Sequence, residues 1–282
     1  MAKKSKTGSS RGRTAKKPAA ARKLRVQQIK YYGWAPDLPD HRDQYYKAPM
    51  AVHLPAKVDL RPQCPPVYDQ GQLGSCTGNA IAGAIHFDRM KQGTSSPSEV
   101  PSRLFIYFNE RVMERTVGSD SGAQIRDGIK SVNKLGACFE GTANDQWRYD
   151  VAKFAIEPPA PCYATARGHQ VVSYQRLDQS LAQMKGCLAS GYPFVFGFTC
   201  YDSFESAQVA RTGVLNLPAA AEKTVGGHAV MCAGYDDGQN RFIVRNSWGK
   251  GWGMKGYFTM PYDYLTNNDL ADDFWTIRVV EA

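Results

Sequence analysis

The sequence predicts an α+β protein of two lobes with a groove between them. Its first half carries apolar residues at helical spacing, whereas its second half carries short apolar runs bounded by glycines. A helical half followed by a β half is typical of the α+β class, and ligands commonly bind between such lobes. The length of 282 residues and the hydrophobic content of 43% allow a sizeable core, and they exclude wholesale disorder and fibrous repeats.

The helices are predicted in the first half of the chain. Residues 76–90 read CTGNAIAGAIHFDRM and end before Gly93, as a helix C-terminus should. Cys76 is therefore expected at a helix N-terminus. The prolines in 158–161 predict a crossover between the two halves. The other segments with helical spacing are 103–115, 123–135 and 177–189.

The strands are predicted beyond Gly191, where short apolar runs alternate with turn residues. These apolar runs fall far short of the roughly 18 residues that a membrane-spanning helix needs. The predicted strands are 194–198, 228–233, 242–245 and 257–260.

Positive charge is concentrated in residues 1–30, which hold 11 basic side chains and no acidic ones. The whole chain carries +9, so the other 252 residues, with 24 basic and 26 acidic side chains, sum to −2. This basic tail has almost no apolar residues, and we expect it to be disordered. It offers Lys and Arg to nucleic acid or an anionic surface, but a solvated terminus is the favoured interpretation. No apolar core of about 7 to 15 residues follows the basic start, so we expect no secretory leader, the cytoplasm as the default location, and leaderless export as the alternative.

Residues 31–54 form a segment that we call the strap. Its prolines forbid a regular helix, and its aromatic side chains need a surface to pack on. We therefore divide the chain into the basic tail (1–30), the extended strap or short prosegment (31–54), a helical lobe (55–165) and a β-rich lobe (166–282).

The seven cysteines are an odd number, are widely scattered and include no C-x-x-C pair. This scatter gives no metal-ligand spacing, and no motif implies a metal or an organic cofactor. Most of the cysteines are expected to be small buried hydrophobes.

Three short blocks carry residue types suited to nucleophilic catalysis: residues 70–76 read QGQLGSC, residues 226–230 read GGHAV, and residues 245–253 read RNSWGKGWG. A thiolate at Cys76 is favoured by a helix N-terminus and by an imidazolium at His228 on the opposite lobe. Asn246 can hold that imidazole by accepting a hydrogen bond from its other nitrogen.

The same blocks supply the accessory groups of acyl transfer. Gln70 offers a side-chain amide to a developing oxyanion, and the backbone N–H of Cys76 is the natural second donor. Trp248 can cover the hydrogen bond between Asn246 and His228 and keep water from it. Each of these residues alone has an ordinary structural interpretation, and only their combination favours catalysis.

The order and local sequences of the blocks resemble the papain family of cysteine peptidases. The likeness covers about residues 55–280, beginning with VDLR at 58–61, which is similar to the family's mature start. NSWGKGWG at 246–253 is a specific signal, and the three blocks in order are a stronger one. The block YGWAPDLPDHRD at 32–43 resembles the segment that precedes the domain in a compact bacterial or viral branch of the family.

The resemblance implies a papain-like fold with a helical left lobe and a β-barrel right lobe, and cleavage of peptide bonds through an acyl-thioester. It implies that Cys76 is the nucleophile and that His228 is the base and later the acid. It also implies that Asn246 orients the imidazole and that Gln70 donates to the oxyanion.

For substrate binding, the resemblance implies that Ser121 and Gly122 hold the peptide backbone and that Ala229 lines the pocket for the second residue before the cut. Trp248 is also assigned to substrate binding. Leu73 and Thr77 stand where papain itself has Cys and Trp, so the disulfide beside the nucleophile is absent and the groove wall differs.

We therefore expect a thiol protease and zymogen whose partners are a peptide or protein substrate and its own N-terminal segment. The strap is expected near or across the groove, where it restrains activity, with a structural belt as the alternative interpretation. A catalytically silent peptide-binding module and a transpeptidase are the alternative functions, and the choice between endo- and exopeptidase stays open.

Overall fold

The computed structural model describes residues 32–48 and 54–281, together with Met1. The tail that is predicted to be disordered, residues 1–30, lies outside the described residues apart from Met1. The helices of the described part are α1 (Cys76–Lys91), α2 (Arg103–Glu114), α3 (Ile125–Leu135), α4 (Ala160–Ala166), α5 (Leu181–Ala189), α6 (Ala207–Thr212) and α7 (Tyr262–Thr266). The strands are β1 (Tyr45–Tyr46), β2 (Lys57–Asp59), β3 (Val171–Leu177), β4 (Phe194–Tyr201), β5 (Thr224–Asp236), β6 (Arg241–Arg245), β7 (Tyr257–Pro261) and β8 (Ala271–Val280).

Helix α1 is the centre of the left lobe, and all but its last two residues are buried. Its many alanines and glycines let neighbouring elements approach closely, because small side chains take little space between two helices. At Gly78, an added Cβ would lie 2.8 Å from the carbonyl oxygen of Arg103 on α2. Helix α2 begins after Ser102, whose hydroxyl accepts a hydrogen bond from the backbone N–H of Phe105. Helix α3 packs against both α1 and α2, which completes the lobe.

The right lobe is built on one sheet with the strand order β1-β3-β8-β4-β5-β6-β7, and β2 pairs separately with β5. All pairings are antiparallel except that of β1 with β3. The face that is covered by α5 and the loops is packed with aromatic side chains, and burial of large apolar areas is the main stabilising force of such a lobe. The phenylalanines of this core are Phe194, Phe196, Phe198, Phe204, Phe242, Phe258 and Phe274.

The start of α1 and the first half of β5 face each other where the lobes meet. The described part of the strap spans both lobes near this line. Trp34 forms a parallel bridge to Ala123 in the left lobe, and β1 lies beside β3 in the right lobe. Asp43 of the strap forms a buried ion pair with Arg126 of α3.

The α+β prediction is confirmed, as are the four predicted helices and the four predicted strands, which correspond to α1, α2, α3 and α5 and to β4, β5, β6 and β7. In the residues that the structure describes, no helix is both long and apolar enough to cross a membrane.

The aromatic core of the right lobe allows a prediction of how a substitution changes the free energy of unfolding. Phe194 is fully buried and its ring lies within 6.3 Å of three other phenylalanine rings. We expect Phe194→Ala to lower the free energy of unfolding by about 3 to 5 kcal/mol, because it leaves a cavity that aromatic neighbours cannot fill. Leu217→Ala, at an exposed position, is the control and should change it by less than about 0.5 kcal/mol. Denaturant unfolding measures both, and equal losses would contradict the assignment of the core.

Candidate active site

Cys76 is the first residue of α1, and its side chain is fully buried. The helix lacks a side-chain cap, because the hydroxyl of Ser75 contacts the Tyr149 hydroxyl at 2.5 Å and accepts from the Asn79 amide at 3.1 Å instead. The first turn holds no acidic residue. The backbone N–H groups at the helix start therefore keep their partial positive charge beside the sulfur.

His228 lies on β5 opposite Phe198 of β4, and it is buried. Its ring centroid is 5.1 Å from that of Trp248, at an interplanar angle of 33°. Its Nε2 lies 2.8 Å from Oδ1 of Asn246, and the same oxygen accepts the backbone N–H of Ser247 at 2.8 Å. An oxygen that accepts an N–H is the amide carbonyl, so Nε2 of a neutral His228 carries the proton and Nδ1 is the basic nitrogen.

The sulfur of Cys76 lies beside the part of β5 that carries His228. The backbone of Ala229 is close enough to the sulfur to lower its pKa. Tyr32 of the strap is close to both catalytic candidates: its ring centroid is 6.0 Å from that of His228, and its hydroxyl is near enough to Cys76 to interact electrostatically. The structure thus brings Cys76, His228 and Asn246 into one site at the junction of the lobes.

Gln70 lies in the loop before α1 and is almost completely buried. Its Oε1 accepts from the Ser247 hydroxyl at 2.5 Å, and its Nε2 donates to the carbonyl of Leu73 at 2.9 Å. The Tyr149 hydroxyl donates to the Gln70 carbonyl at 2.8 Å. The side-chain amide of Gln70 is therefore fixed between the segment that follows Asn246 and the loop that leads to the nucleophile.

The two residues that are predicted to hold the substrate backbone, Ser121 and Gly122, have different surroundings in the structure. Ser121 is exposed, whereas Gly122, at φ 73°, faces the strap so closely that an added Cβ would lie 2.3 Å from the carbonyl oxygen of Gly33. The residue whose backbone pairs with the strap is Ala123: its N–H donates to the Gly33 carbonyl at 2.7 Å, and its carbonyl accepts from Ala35 at 3.1 Å. The sequence patterns did not indicate a role for Ala123. The only sequence feature that could have indicated it is its position directly after Gly122.

The strap covers the site. The backbone N–H of Trp34 donates to the carbonyl of Gly227 at 3.0 Å, and the backbone of Gly33 is close enough to the Cys76 sulfur to lower its pKa. Tyr32 packs against the rings of His228 and Trp248, with centroid distances of 6.0 and 6.5 Å. Together with the pairing to Ala123, these contacts fill the groove on both sides of the sulfur.

Burial shifts the pKa values of both groups in the site. It raises the pKa of the Cys76 thiol to about 12, although hydrogen bonds from the backbones of Ala229 and Gly33 act in the opposite direction. Burial also lowers the pKa of His228 to about 4, against the hydrogen bond with Asn246. Both shifts favour the uncharged forms of the two groups.

A thiol at a helix start, an imidazole–amide pair on the facing sheet and a two-lobed α+β fold define the class of cysteine peptidases with papain-like architecture. The chain belongs to the papain family of cysteine proteases, because the family model described as "Papain family cysteine protease" matches residues 54–274. It is accordingly a thiol peptidase that acts on peptide substrates.

Individual relatives agree with this assignment. The chain is 45% identical over 232 residues to the uncharacterized peptidase C1-like protein L477 of Acanthamoeba polyphaga mimivirus, covering 79% of this chain and 73% of that protein. It is similar to the crystal structure of xylellain, a cysteine protease from Xylella fastidiosa, with a TM-score of 0.81, 44% identity and coverage of 88% of this chain and 96% of that chain. These two likenesses support a compact branch of the family.

More distant structures share the fold. The structure of procathepsin L 3 from the midgut of Tenebrio molitor larvae is similar with a TM-score of 0.63 at 19% identity, over 84% of this chain and 74% of that chain. At this identity the likeness shows the two-lobed fold alone.

Displacement of the strap should expose the Cys76 thiol to reagents. An added Cβ at Gly33 would lie 1.6 Å from the carbonyl oxygen of Gly74, so Gly33→Ala cannot dock in the same place. We expect iodoacetamide near neutral pH to alkylate Cys76 at least about tenfold faster in this variant, since about 1.4 kcal/mol of lost docking is tenfold in population. Mass spectrometry of the peptide that contains Cys76 gives the rate. Gly118→Ala, where an added Cβ meets nothing within 4 Å, is the matched control, and equal rates in the two variants would contradict the covering role of Gly33.

Proposed function

We propose that the chain hydrolyses peptide bonds through a Cys76 thioester and that its strap restrains this reaction until it is displaced. The observation that carries the proposal is the position of the buried Cys76 thiol, at the start of α1 and beside the hydrogen-bonded pair of His228 and Asn246. Family membership supports the peptidase activity, and the contacts of the site support the roles given below.

In the proposed reaction the strap leaves first, and water and substrate enter the groove. Burial is the largest cause that keeps the thiol protonated and the imidazole neutral, so hydration favours transfer of the proton from Sγ of Cys76 to Nδ1 of His228. The carbonyl of Asn246 holds Nε2 and stabilises the imidazolium. The partial positive charge of the α1 N-terminus stabilises the thiolate.

The thiolate then attacks the carbonyl carbon of the peptide, and the π electrons move to the oxygen. Gln70 and the backbone N–H of Cys76 are the proposed donors to this oxyanion, and loss of one such donor typically costs about 3 to 4 kcal/mol in the transition state. The imidazolium of His228 gives its proton to the leaving amine as the C–N bond breaks, which leaves the thioester. Water attacks the thioester carbon as His228 takes a proton from that water. The C–S bond then breaks, the acid product leaves, and the proton on His228 returns to the sulfur, which regenerates the Cys76 thiol.

The proposed restraint rests on what the strap occupies. Its backbone uses Gly227 on one side and Ala123 on the other, which are the groups that an extended peptide would pair with in the same groove. Gly33 at the sulfur offers no side chain and so lets the strap backbone lie directly over the nucleophile. A peptide bond cannot reach Cys76 while these contacts persist.

The catalytic roles predict a graded loss of activity. Cys76→Ala should reduce peptide hydrolysis to the background rate, because no covalent path remains. His228→Ala should lower kcat by about 10²- to 10⁴-fold, the usual contribution of a general acid–base group. Cys64→Ala removes a half-buried thiol outside the site and serves as the control with activity retained. Mass spectrometry of a digested peptide library measures activity and cleavage position together, and full activity of Cys76→Ala would refute the mechanism.

The restraint predicts different effects for two neighbouring strap carboxylates. Asp43 and Arg126 form an ion pair in which both side chains are about 95% buried, so Asp43→Asn removes one partner of a buried pair. Asp40 pairs with the exposed Arg42 and with the half-exposed Lys130, and such surface pairs are worth about 0 to 1 kcal/mol.

We expect Asp43→Asn to raise the initial rate of peptide hydrolysis at least about tenfold, because the strap docks less tightly. Asp40→Asn should change it by less than about fivefold. A fluorogenic peptide assay measures both, and a fall in rate for Asp43→Asn with the fold intact would favour the structural-belt interpretation of the strap.

A further inference from the structure

The indole of Trp34 fills a slot beside the catalytic site that two glycines leave open. An added Cβ at Gly197 of β4 would lie 2.0 Å from Cε2 of this indole, and one at Gly227 of β5 would lie 2.7 Å from its Cε3. The backbone on either side of Trp34 is held as an extended peptide by Gly227 and Ala123. The slot therefore receives the side chain of a residue whose backbone lies in the groove.

Asp273 closes the far end of this slot. Val195 and Gly197 of β4, two positions apart, pair with Trp275 and Asp272 of β8, three positions apart, so β8 has one extra residue at this β-bulge, which we assign to Asp273. The backbone φ of Asp273 is 59°, which residues other than glycine rarely adopt. Bulges beside functional sites use such a change of backbone direction to point a side chain into the site. The carboxylate is fully buried.

The two oxygens of Asp273 have different partners. Oδ1 pairs with the guanidinium of Arg176 at 3.0 Å, and Arg176 belongs to β3. Oδ2 accepts the indole N–H of Trp34 at 3.0 Å and the backbone N–H of Asp37 at 2.8 Å. Both donors to Oδ2 belong to the strap. When the strap leaves, Oδ1 keeps its partner while Oδ2 is left as a buried acceptor that faces an empty slot, an arrangement that favours any guest able to donate to it.

We propose that Asp273 is a specificity-determining residue, and that the vacated slot selects a substrate side chain that is long and carries an N–H donor at its far end. This inference rests on the proposed function, because it assigns the substrate class of the same site. An indole is the guest that the structure holds, and a guanidinium offers the same donor chemistry with a charge. Side chains of the same size without an N–H leave Oδ2 unpaired.

The first experiment uses the full chain with Gly33→Ala and Trp34→Ala, which together displace the strap and empty the slot. Fluorogenic peptides carry tryptophan, 1-naphthylalanine, arginine or leucine at each position in turn. Naphthylalanine keeps the two-ring shape of tryptophan and lacks the N–H. At one position we expect kcat/KM to be about 10- to 100-fold higher for an N–H donor than for naphthylalanine, in line with a hydrogen bond to a charged group. The ratio of arginine to tryptophan shows whether charge or ring shape dominates.

The second variants test Asp273 itself in that background. Asp273→Gly removes the carboxylate and tolerates the positive φ, so the ratio of tryptophan to naphthylalanine should fall to about 1 while naphthylalanine peptides are still cleaved. Asp273→Asn retains an acceptor oxygen and also tolerates this φ, and it should restore part of the preference. An unchanged ratio in Asp273→Gly would overturn the proposal.

A binding experiment tests the role of Asp273 independently of peptide cleavage. In the full chain with Trp34→Gly and Cys76→Ala, which cannot turn over substrate, 3-methylindole should raise the melting temperature more than 1-methylnaphthalene does, and Asp273→Gly should abolish the difference. Failure of every peptide to be cleaved by the chain with Gly33→Ala and Trp34→Ala would count against the proposed function alone. Equal stabilisation by the two ring compounds would count against the role of Asp273 whatever the outcome for cleavage.

Discussion

The strap, the right-lobe sheet and the groove are all held in place by the contacts of one side chain, the guanidinium of Arg176. It lies on β3, which pairs with β1 of the strap on one side and with β8 on the other. Arg176 and Arg126 of α3 face four carboxylates, of which all but the half-exposed Asp272 are buried. Burial first, and then the charge of Asp37, raises the pKa of Asp273 to about 7. The carboxylates that contact Arg176 are Asp37 at 3.5 Å, Asp43 at 3.6 Å, Asp272 at 3.1 Å and Asp273 at 3.0 Å.

This charge balance depends on whether the strap is present, since two of the four carboxylates belong to it. Without Asp37 and Asp43, the two arginines would face the two remaining carboxylates of β8, which is a neutral set. Because burial raises the pKa of both Asp37 and Asp273, protons offset part of the charge imbalance in the closed groove. Hydrogen bonds from Trp34, Trp275 and the backbone satisfy the carboxylate oxygens. Because satisfied buried networks are stable and partly satisfied ones are not, the strap is held as a unit and not residue by residue.

The helices and the catalytic candidates could be predicted because their signals are local: helical spacing, a glycine after the helix, and short blocks around each reactive group. Strand β8 could not, because the bulge at Asp273 interrupts the alternation of 271–280. The prolines at 158–161 were expected to form a crossover, but α4 begins at Ala160 with a proline in its first turn, where the missing N–H has no intrahelical partner to lose. The role of Ala123 could not be predicted either, since it depends on a strap backbone that comes from far along the chain.

In the proposed function the strap and the substrate compete for the same backbone groups, and this constrains which residues can change. A tethered segment has an effective concentration in the millimolar range, so the strap needs only modest affinity to keep the groove closed. Side chains added at Gly122 or Gly227 would push the strap out, but they would also narrow the groove for a peptide. Gly33 differs, because it lies on the strap and leaves with it. It is therefore the position at which a single methyl group separates restraint from catalysis.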